Sequence, residues 1–178
     1  MPRLTSFNVS INLPYVGGIE GTWEPDKSEQ KASWEMYVEL ITRVSVVELR
    51  SDEGLLREAL SSLYSIFEST RKILREYGPG IAQPKGSGSV SFGYLAVAIL
   101  NTVLRPLLST WHPLLKDYED KRPPDVTSVE FERKWEYHKE LREELNQVRI
   151  SLSDYANLLA KVAGVPNLWV EQDGKNGI

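Results

Sequence analysis

The stretch FERKWEYHKELREELNQVRISLSDYANLLAKV, residues 131–162, decides the fold class. Its apolar and aromatic side chains recur every three or four residues, which is the period of one face of an α-helix. The stripe consists of Phe131, Trp135, His138, Leu141, Leu145, Val148, Leu152, Tyr155, Leu159 and Val162. Because no Pro or Gly occurs before Gly164, the pattern predicts one unbroken helix from Ser128 to Ala163. So long an apolar stripe requires other helices to cover it.

Two segments upstream carry matching stripes. The first predicted helix begins near Asp26 or Ser28, either of which can serve as its N-cap. The second follows Asp52, another suitable N-cap, and ends at the sequence Gly78-Pro79-Gly80. Glycine supplies the left-handed conformation at a helix end, and proline cannot continue the helix. The second helix therefore has a defined end, whereas the β-branched stretch 44–49 after the first is either an extended connection or its frayed end.

The third predicted helix begins at Ser91 or Phe92 and carries no charge between Tyr94 and Leu100. A helix that is apolar on every side is expected in the middle of a bundle. The uncharged run 86–104 is close to membrane length, but its Gly/Ser-rich start favours a buried core helix. Pro106 should kink this helix or start a new segment, because proline lacks an N–H group.

Residues 5–13 alternate between apolar and polar side chains, which predicts a half-buried β-strand. Gly17-Gly18 then offers a turn, and the chain can return as a short strand over 19–23. The predicted fold is mainly α: a four-helix bundle-like domain with a short N-terminal β-hairpin or strand. We expect a single domain over 1–170, with a β-ribbon at 5–23, a helical bundle at 28–166 and a flexible tail at 171–178.

Composition excludes several classes of function. The formal net charge is −4 and the sequence pI is about 5.3, which argues against nucleic-acid binding. The chain has no cysteine and two histidines, so we expect no disulfide, no thiol nucleophile, no metal site and no cofactor. The N-terminal sequence MPRLTSFNVSINLP lacks the apolar core of a signal peptide. We therefore expect a cytoplasmic protein that does not bind membranes.

Asn101 and Arg105 stand four residues apart on the otherwise apolar third helix. A buried arginine needs a carboxylate, and Glu39 is a plausible partner because it also lies within an apolar run. The first interpretation is therefore a buried ion pair that fixes the register of two helices. The second is an anion-binding site in which Arg105 holds a phosphate or a carboxylate.

His112 lies in an apolar stretch, between Trp111 and Pro113. It is either a general base or ligand anchor, or a histidine whose ring is satisfied by a backbone carbonyl at a helix break. The Gly/Ser-rich loop 86–93 precedes a helix, but it lacks the lysine of a phosphate-binding loop and no strand leads into it. We interpret that loop as a crossover connection. No nucleophile–base pair is recognisable.

Large aromatic side chains supply the candidate contact residues. The chain has five tryptophans and eight tyrosines, which are residue types enriched at protein interfaces. Trp23 lies in an acidic loop, and the alternative is that it covers one end of the helical core. The candidate interface residues are Trp23, Trp111 and Trp135.

Three functions follow in order of preference. The first is a non-catalytic accessory or regulatory subunit that uses helical faces to bind a protein partner or a second copy of itself. The second is a sensor of a small anionic ligand or nucleotide signal, with a pocket near Asn101, Arg105 and His112. The third is a hydrolase that uses Glu39 and His112.

Overall fold

The computed structural model describes residues 5–14, 17–43 and 53–168. The described chain is mainly α-helical and begins with a two-stranded antiparallel hairpin, as the sequence predicts. Its elements are β1 (Phe7–Leu13), β2 (Gly17–Trp23), α1 (Lys27–Ile41), α2 (Leu56–Tyr77), α3 (Phe92–Glu119), α4 (Ser128–Arg133) and α5 (His138–Ala163), with a 3₁₀ turn over Pro79–Ala82. The stretch 44–49, the predicted N-cap Asp52 and the predicted tail 171–178 lie outside the described residues. The division into one domain and a tail stays a prediction.

The hairpin packs one face on the helices. Its register pairs Phe7 with Trp23 and Ile11 with Ile19. Alternate residues of β1 are buried, as the period of two requires. The hydroxyl of Ser151 on α5 donates to the carbonyl of Asn12 at 3.0 Å, which ties the hairpin to that helix. The hairpin is therefore part of the core.

Local capping by side chains explains where three of the helices begin. Asp26 accepts from the N–H of Glu29, and Glu29 accepts from the N–H of Asp26, which is a complete capping box at the start of α1. Ser91 caps α3 through the N–H of Tyr94, and Thr127 forms a second capping box with Glu130. These partners lie within three residues of each other, so the sequence pattern was sufficient to predict them.

The third helix passes through one wide turn before its proline. Residues Ile99–Leu104 form a π-helical segment, and Pro106 follows in the first turn of the next α-helical part. The wider turn removes the need for a proline N–H donor, so α3 continues to Glu119. The helix is also not enclosed on every side, because Tyr94 and Val97 are exposed. The expectation of a fully central helix is therefore wrong for this face.

The prediction of one unbroken helix from Ser128 to Ala163 is wrong. The chain is not α-helical at residues 134–137, where two tight turns replace the regular helical hydrogen bonds. The N–H of Trp135 donates to the backbone carbonyl of Glu132, and the N–H of His138 donates to that of Trp135. The turn directs the Trp135 indole inward, where it stacks with Tyr118 at a centroid distance of 5.6 Å. Burial of this aromatic ring outweighs local helix propensity.

Candidate functional site

Two helix faces bring cationic and aromatic side chains together on one surface. On α2, residues 57, 64, 67 and 71 follow helical spacing and lie on one face. On α3, residues 105 and 112 lie on the face that packs beside it. We call this surface the aromatic–arginine strip; it consists of Arg57, Tyr64, Phe67, Arg71, Arg105 and His112.

The centre of the strip is the ring of Phe67. The Cζ atom of Arg71 lies 5.6 Å from the ring centroid, and the Cζ atom of Arg105 lies 5.5 Å from it. Tyr64 packs beside the same ring with its centroid at 6.1 Å. Phe67 is 6% exposed, whereas Tyr64 is 63% exposed. The strip therefore has a covered ring beneath two guanidinium groups and a freely accessible ring beside them.

His112 occupies one end of the strip as an acceptor. The Nη1 of Arg57 lies 2.6 Å from His112 Nδ1, and a guanidinium can only donate, so Nδ1 accepts. Burial and the positive charge of Arg57 lower the pKa of His112, although Glu119 opposes this. Arg57 also donates to the Glu119 carboxylate through Nε and Nη2. Because Nδ1 accepts, the imidazole of His112 is in its neutral form. The Arg57 guanidinium that donates to it is itself paired with the Glu119 carboxylate.

The predicted ion pair between Arg105 and Glu39 is wrong. Arg105 is exposed, and its Nε donates to Asn101 Oδ1 at 3.1 Å. Glu39 of α1 pairs instead with Arg43, which lies just beyond the end of that helix, and it accepts from the Ser69 hydroxyl at 2.7 Å. These contacts and the positive charge of Lys72 lower the pKa of Glu39, although burial opposes them. The structure thus places Asn101, Arg105 and His112 along α3, and Glu39 at a separate cluster.

Trp23 is not an exposed contact residue, because it is completely buried. Its indole Nε1 donates to Oε1 of the buried Glu29 at 3.1 Å. The same carboxylate accepts from the N–H of Phe92 at the start of α3, and from the ammonium of Lys85 at 2.8 Å. Glu29 therefore joins the hairpin, α1 and α3 at one point. Trp23 is the last residue of β2 rather than a loop residue, and its ring is part of the core, in agreement with the alternative interpretation.

Trp111 and Trp135 are also buried, at 3% and 6% exposure, so the interpretation of them as surface anchors is wrong. Their rings meet edge to face at 5.9 Å. The Trp111 indole Nε1 donates to Glu144 of α5 at 2.8 Å. The hydroxyl of Tyr118 donates to the carbonyl of Phe131, which satisfies an acceptor at the end of α4. This aromatic cluster packs α3 against α4 and the turn that follows it.

The carboxylate of Glu132 caps a helix that is distant in the sequence, which the sequence pattern does not reveal. Glu132 of α4 is buried, and it accepts the N–H of Leu56, the first residue of α2, at 2.9 Å. It therefore caps a helix from which it is 76 positions away in the chain. Burial raises the pKa of Glu132, although the backbone N–H donors oppose this.

A second surface feature is a cavity of about 230 Å³ between α1 and α2. Its lining combines apolar and charged side chains: Trp34, Glu35, Val38, Glu39, Ser69, Lys72 and Ile73. The carboxylate of Glu35 is engaged by the Tyr77 hydroxyl, as that of Glu39 is by Arg43. Both carboxylates are therefore already occupied by groups of this chain.

The loop 86–93 is tied to the hairpin. The N–H groups of Ser89 and Val90 both donate to the carbonyl of Thr22, and the Ser87 hydroxyl donates to Glu24. Gly21 allows this approach, because a Cβ there would lie 2.5 Å from the Ser89 hydroxyl oxygen. The backbone N–H groups at 89 and 90 are therefore occupied by the protein.

Within residues 5–14, 17–43 and 53–168, no group of three His, Asp or Glu side chains is arranged to hold a metal ion. The helix Phe92–Glu119 is long and apolar enough to cross a membrane by length and composition, and 56% of its most apolar window is buried. A buried core helix meets the same criteria. The expectations about membranes and localisation stay predictions.

No protein-family model, curated protein or solved structure matches this chain.

Proposed function

We propose that this chain is a non-catalytic protein-interaction subunit and that it contacts its partner through the aromatic–arginine strip. The observation that carries the proposal is the 63% exposure of Tyr64, whose ring packs beside Phe67, the ring that lies under Arg71 and Arg105. Tyrosine and arginine are enriched among the few residues that dominate binding energy at protein interfaces. The strip also lies on two α-helices that pack on each other, so its backbone is already ordered before binding, which lowers the entropic cost.

In this proposal Tyr64 replaces the three buried tryptophans as the aromatic residue that contacts the partner. A ring that is already packed in the core offers no area to a partner, whereas Tyr64 offers most of its surface. The partner is another protein or a second copy of this chain. The strip is the surface expected to become covered in either case.

The test compares two exposed tyrosines. Tyr64→Ala removes the exposed ring of the proposed interface, and Tyr94→Ala removes a 54% exposed tyrosine near the start of α3. Proteins captured from the native cells by the wild-type chain are identified, and the strongest partner is purified for calorimetric titration. Sedimentation velocity covers self-association. We expect Tyr64→Ala to weaken binding by about tenfold or more, and Tyr94→Ala to change it less than about threefold. Equal effects of both variants would contradict the proposal.

A sensor of an anionic ligand is the second candidate, and one observation favours it. The guanidinium of Arg105 is exposed and pairs with Asn101 rather than with an acid. A ligand that binds only the folded state raises the melting temperature. A screen of anionic metabolites by thermal shift tests this function, with Arg105→Lys expected to abolish the shift. A shift with one metabolite, together with a monomer that captures no protein, would favour the sensor.

A further inference from the structure

Phe67 is shared by two arginines that come from different helices. Arg71 extends from the next turn of α2 and Arg105 crosses from α3, and both guanidinium groups lie within 6 Å of the ring centroid. A guanidinium that stacks on a ring keeps its N–H edge available for a carboxylate or a phosphate. The ring of Phe67 thus positions both guanidinium groups and leaves their N–H groups available for hydrogen bonds.

Neither of these two arginines is neutralised within the described chain. Among the described residues, Arg105 bonds to the neutral Asn101, Arg71 forms no ion pair, and the exposed Glu68 pairs with neither of them. Arg57 at the other end of the strip differs, because Glu119 neutralises it. Two like charges that share one ring repel each other, and an acceptor placed between them relieves this repulsion.

We propose that Arg71 and Arg105 bind the carboxylates of an acidic segment in the partner protein. This inference rests on the proposed function. The whole chain has a net charge of −4, so these unpaired guanidinium groups are a local positive surface on an acidic protein and select an acidic partner. Tyr64 packs beside Phe67, the ring that lies under both arginines, and it is mostly exposed, so it packs against an apolar side chain of the same segment. A free small anion would leave that ring uncovered.

The test uses a fluorescein-labelled peptide of glutamates with two leucines, and fluorescence anisotropy as the measurement. The double variant Arg71→Gln, Arg105→Gln removes both charges but keeps polar side chains. The matched control Lys139→Gln, Lys161→Gln removes two exposed charges from α5, so both variants have the same net charge. We expect the strip variant to weaken binding by about tenfold or more, and the control to change it less than about twofold. Binding to the wild-type chain should weaken as salt rises from roughly 0.05 to 0.5 M.

Three outcomes overturn the proposal. The first is no peptide binding by the wild-type chain at low salt, and the second is an equal loss in the strip variant and the control. The third is a melting-temperature rise with inorganic phosphate, lost in the strip variant, while the peptide fails to bind; this identifies a small-anion site.

The two proposals fail separately. If Tyr64→Ala abolishes capture of the natural partner while Arg71→Gln, Arg105→Gln leaves it unchanged, the interaction subunit stands and the acidic segment is wrong. If neither variant changes capture, the strip is not the interface and both proposals are wrong.

Discussion

Glu132 is a single carboxylate on which the start of α2 depends. The Leu56 N–H that it accepts is buried, so water cannot replace the carboxylate oxygen. We expect Glu132→Ala to lower the free energy of unfolding by about 1–3 kcal/mol, the cost of an unsatisfied buried donor. Glu132→Gln keeps an acceptor oxygen and should cost less. Urea denaturation measures both, with the exposed Glu136→Ala as the control; equal stability of all three variants would contradict the cap.

The same residue gives stability a defined pH dependence. Burial raises the pKa of Glu132 in the folded state. A carboxyl group whose pKa is higher in the folded than in the unfolded state contributes to folding stability. This contribution is complete below the pKa of the unfolded state and is lost as pH rises through the pKa of the folded state. Stability measured from about pH 4 upward should therefore shift in favour of Glu132→Gln, relative to wild type, through that window. A constant difference would show that Glu132 does not titrate there.

Glu29 is the second buried carboxylate with a role across the fold. It accepts from Trp23, from the Phe92 N–H and from Lys85. Glu29→Ala should cost about 3–5 kcal/mol, because it leaves buried donors and a partly buried ammonium without this partner. In a double-mutant cycle, Glu29→Gln with Lys85→Met should cost less than the sum of the single changes. Additive losses in urea denaturation would show that the two side chains are not coupled.

At the scale of the element, burial within a stripe sets the cost of truncation. Leu63 of α2 is buried, whereas Leu145 of α5 is only partly buried. Leu63→Ala should therefore destabilise by about 2–5 kcal/mol, and Leu145→Ala by clearly less. Chemical denaturation of the two variants provides the comparison. A larger loss for Leu145 would contradict the packing of α5.

The predictable parts of this fold are those whose causes are local. The alternation of β1, the capping boxes at Asp26 and Thr127 and the glycine at the end of α5 all depend on neighbours within a few residues. The break at 134–137 and the roles of Glu29 and Glu132 depend on partners from distant elements. The pattern of residues 131–162 shows the apolar stripe. It gives no sign that the ring of Trp135 packs on Trp111 and Tyr118 of α3, with which the break in the helix is associated.

The strip illustrates the same division for the candidate site. Sequence spacing placed Asn101 and Arg105 on one helical face, which the structure retains. The sequence does not single out the exposed ring of Tyr64, because a tyrosine beside an apolar stripe carries no sign of its final exposure. Only the packing of α2 beside α3 shows that Phe67 lies under two arginines.

At the scale of the whole molecule, the described residues share one hydrophobic core cluster that includes the hairpin and the four longer helices. Such a core predicts cooperative unfolding. Tryptophan fluorescence and far-ultraviolet circular dichroism should give coincident denaturation curves, because the buried tryptophans report on two parts of one core: Trp23 beside Glu29, and the contacting pair of Trp111 and Trp135. An earlier fluorescence transition would mean that one end of the bundle opens first.

The wide turn in α3 also determines where this gene tolerates the loss of a codon. Removing one residue from a regular buried helix rotates everything after it by about 100°, which would turn Leu107, Trp111 and Leu115 away from the core. The segment Ile99–Leu104 contains a turn with more residues than an α-helical one, so deletion of Thr102 can restore an ordinary turn and keep the later face inward. Pro106→Ala should accompany the deletion, because an ordinary turn again requires the missing N–H. We expect this shortened chain to fold, and deletion of Ser109 to prevent folding, as judged by circular dichroism and cooperative melting.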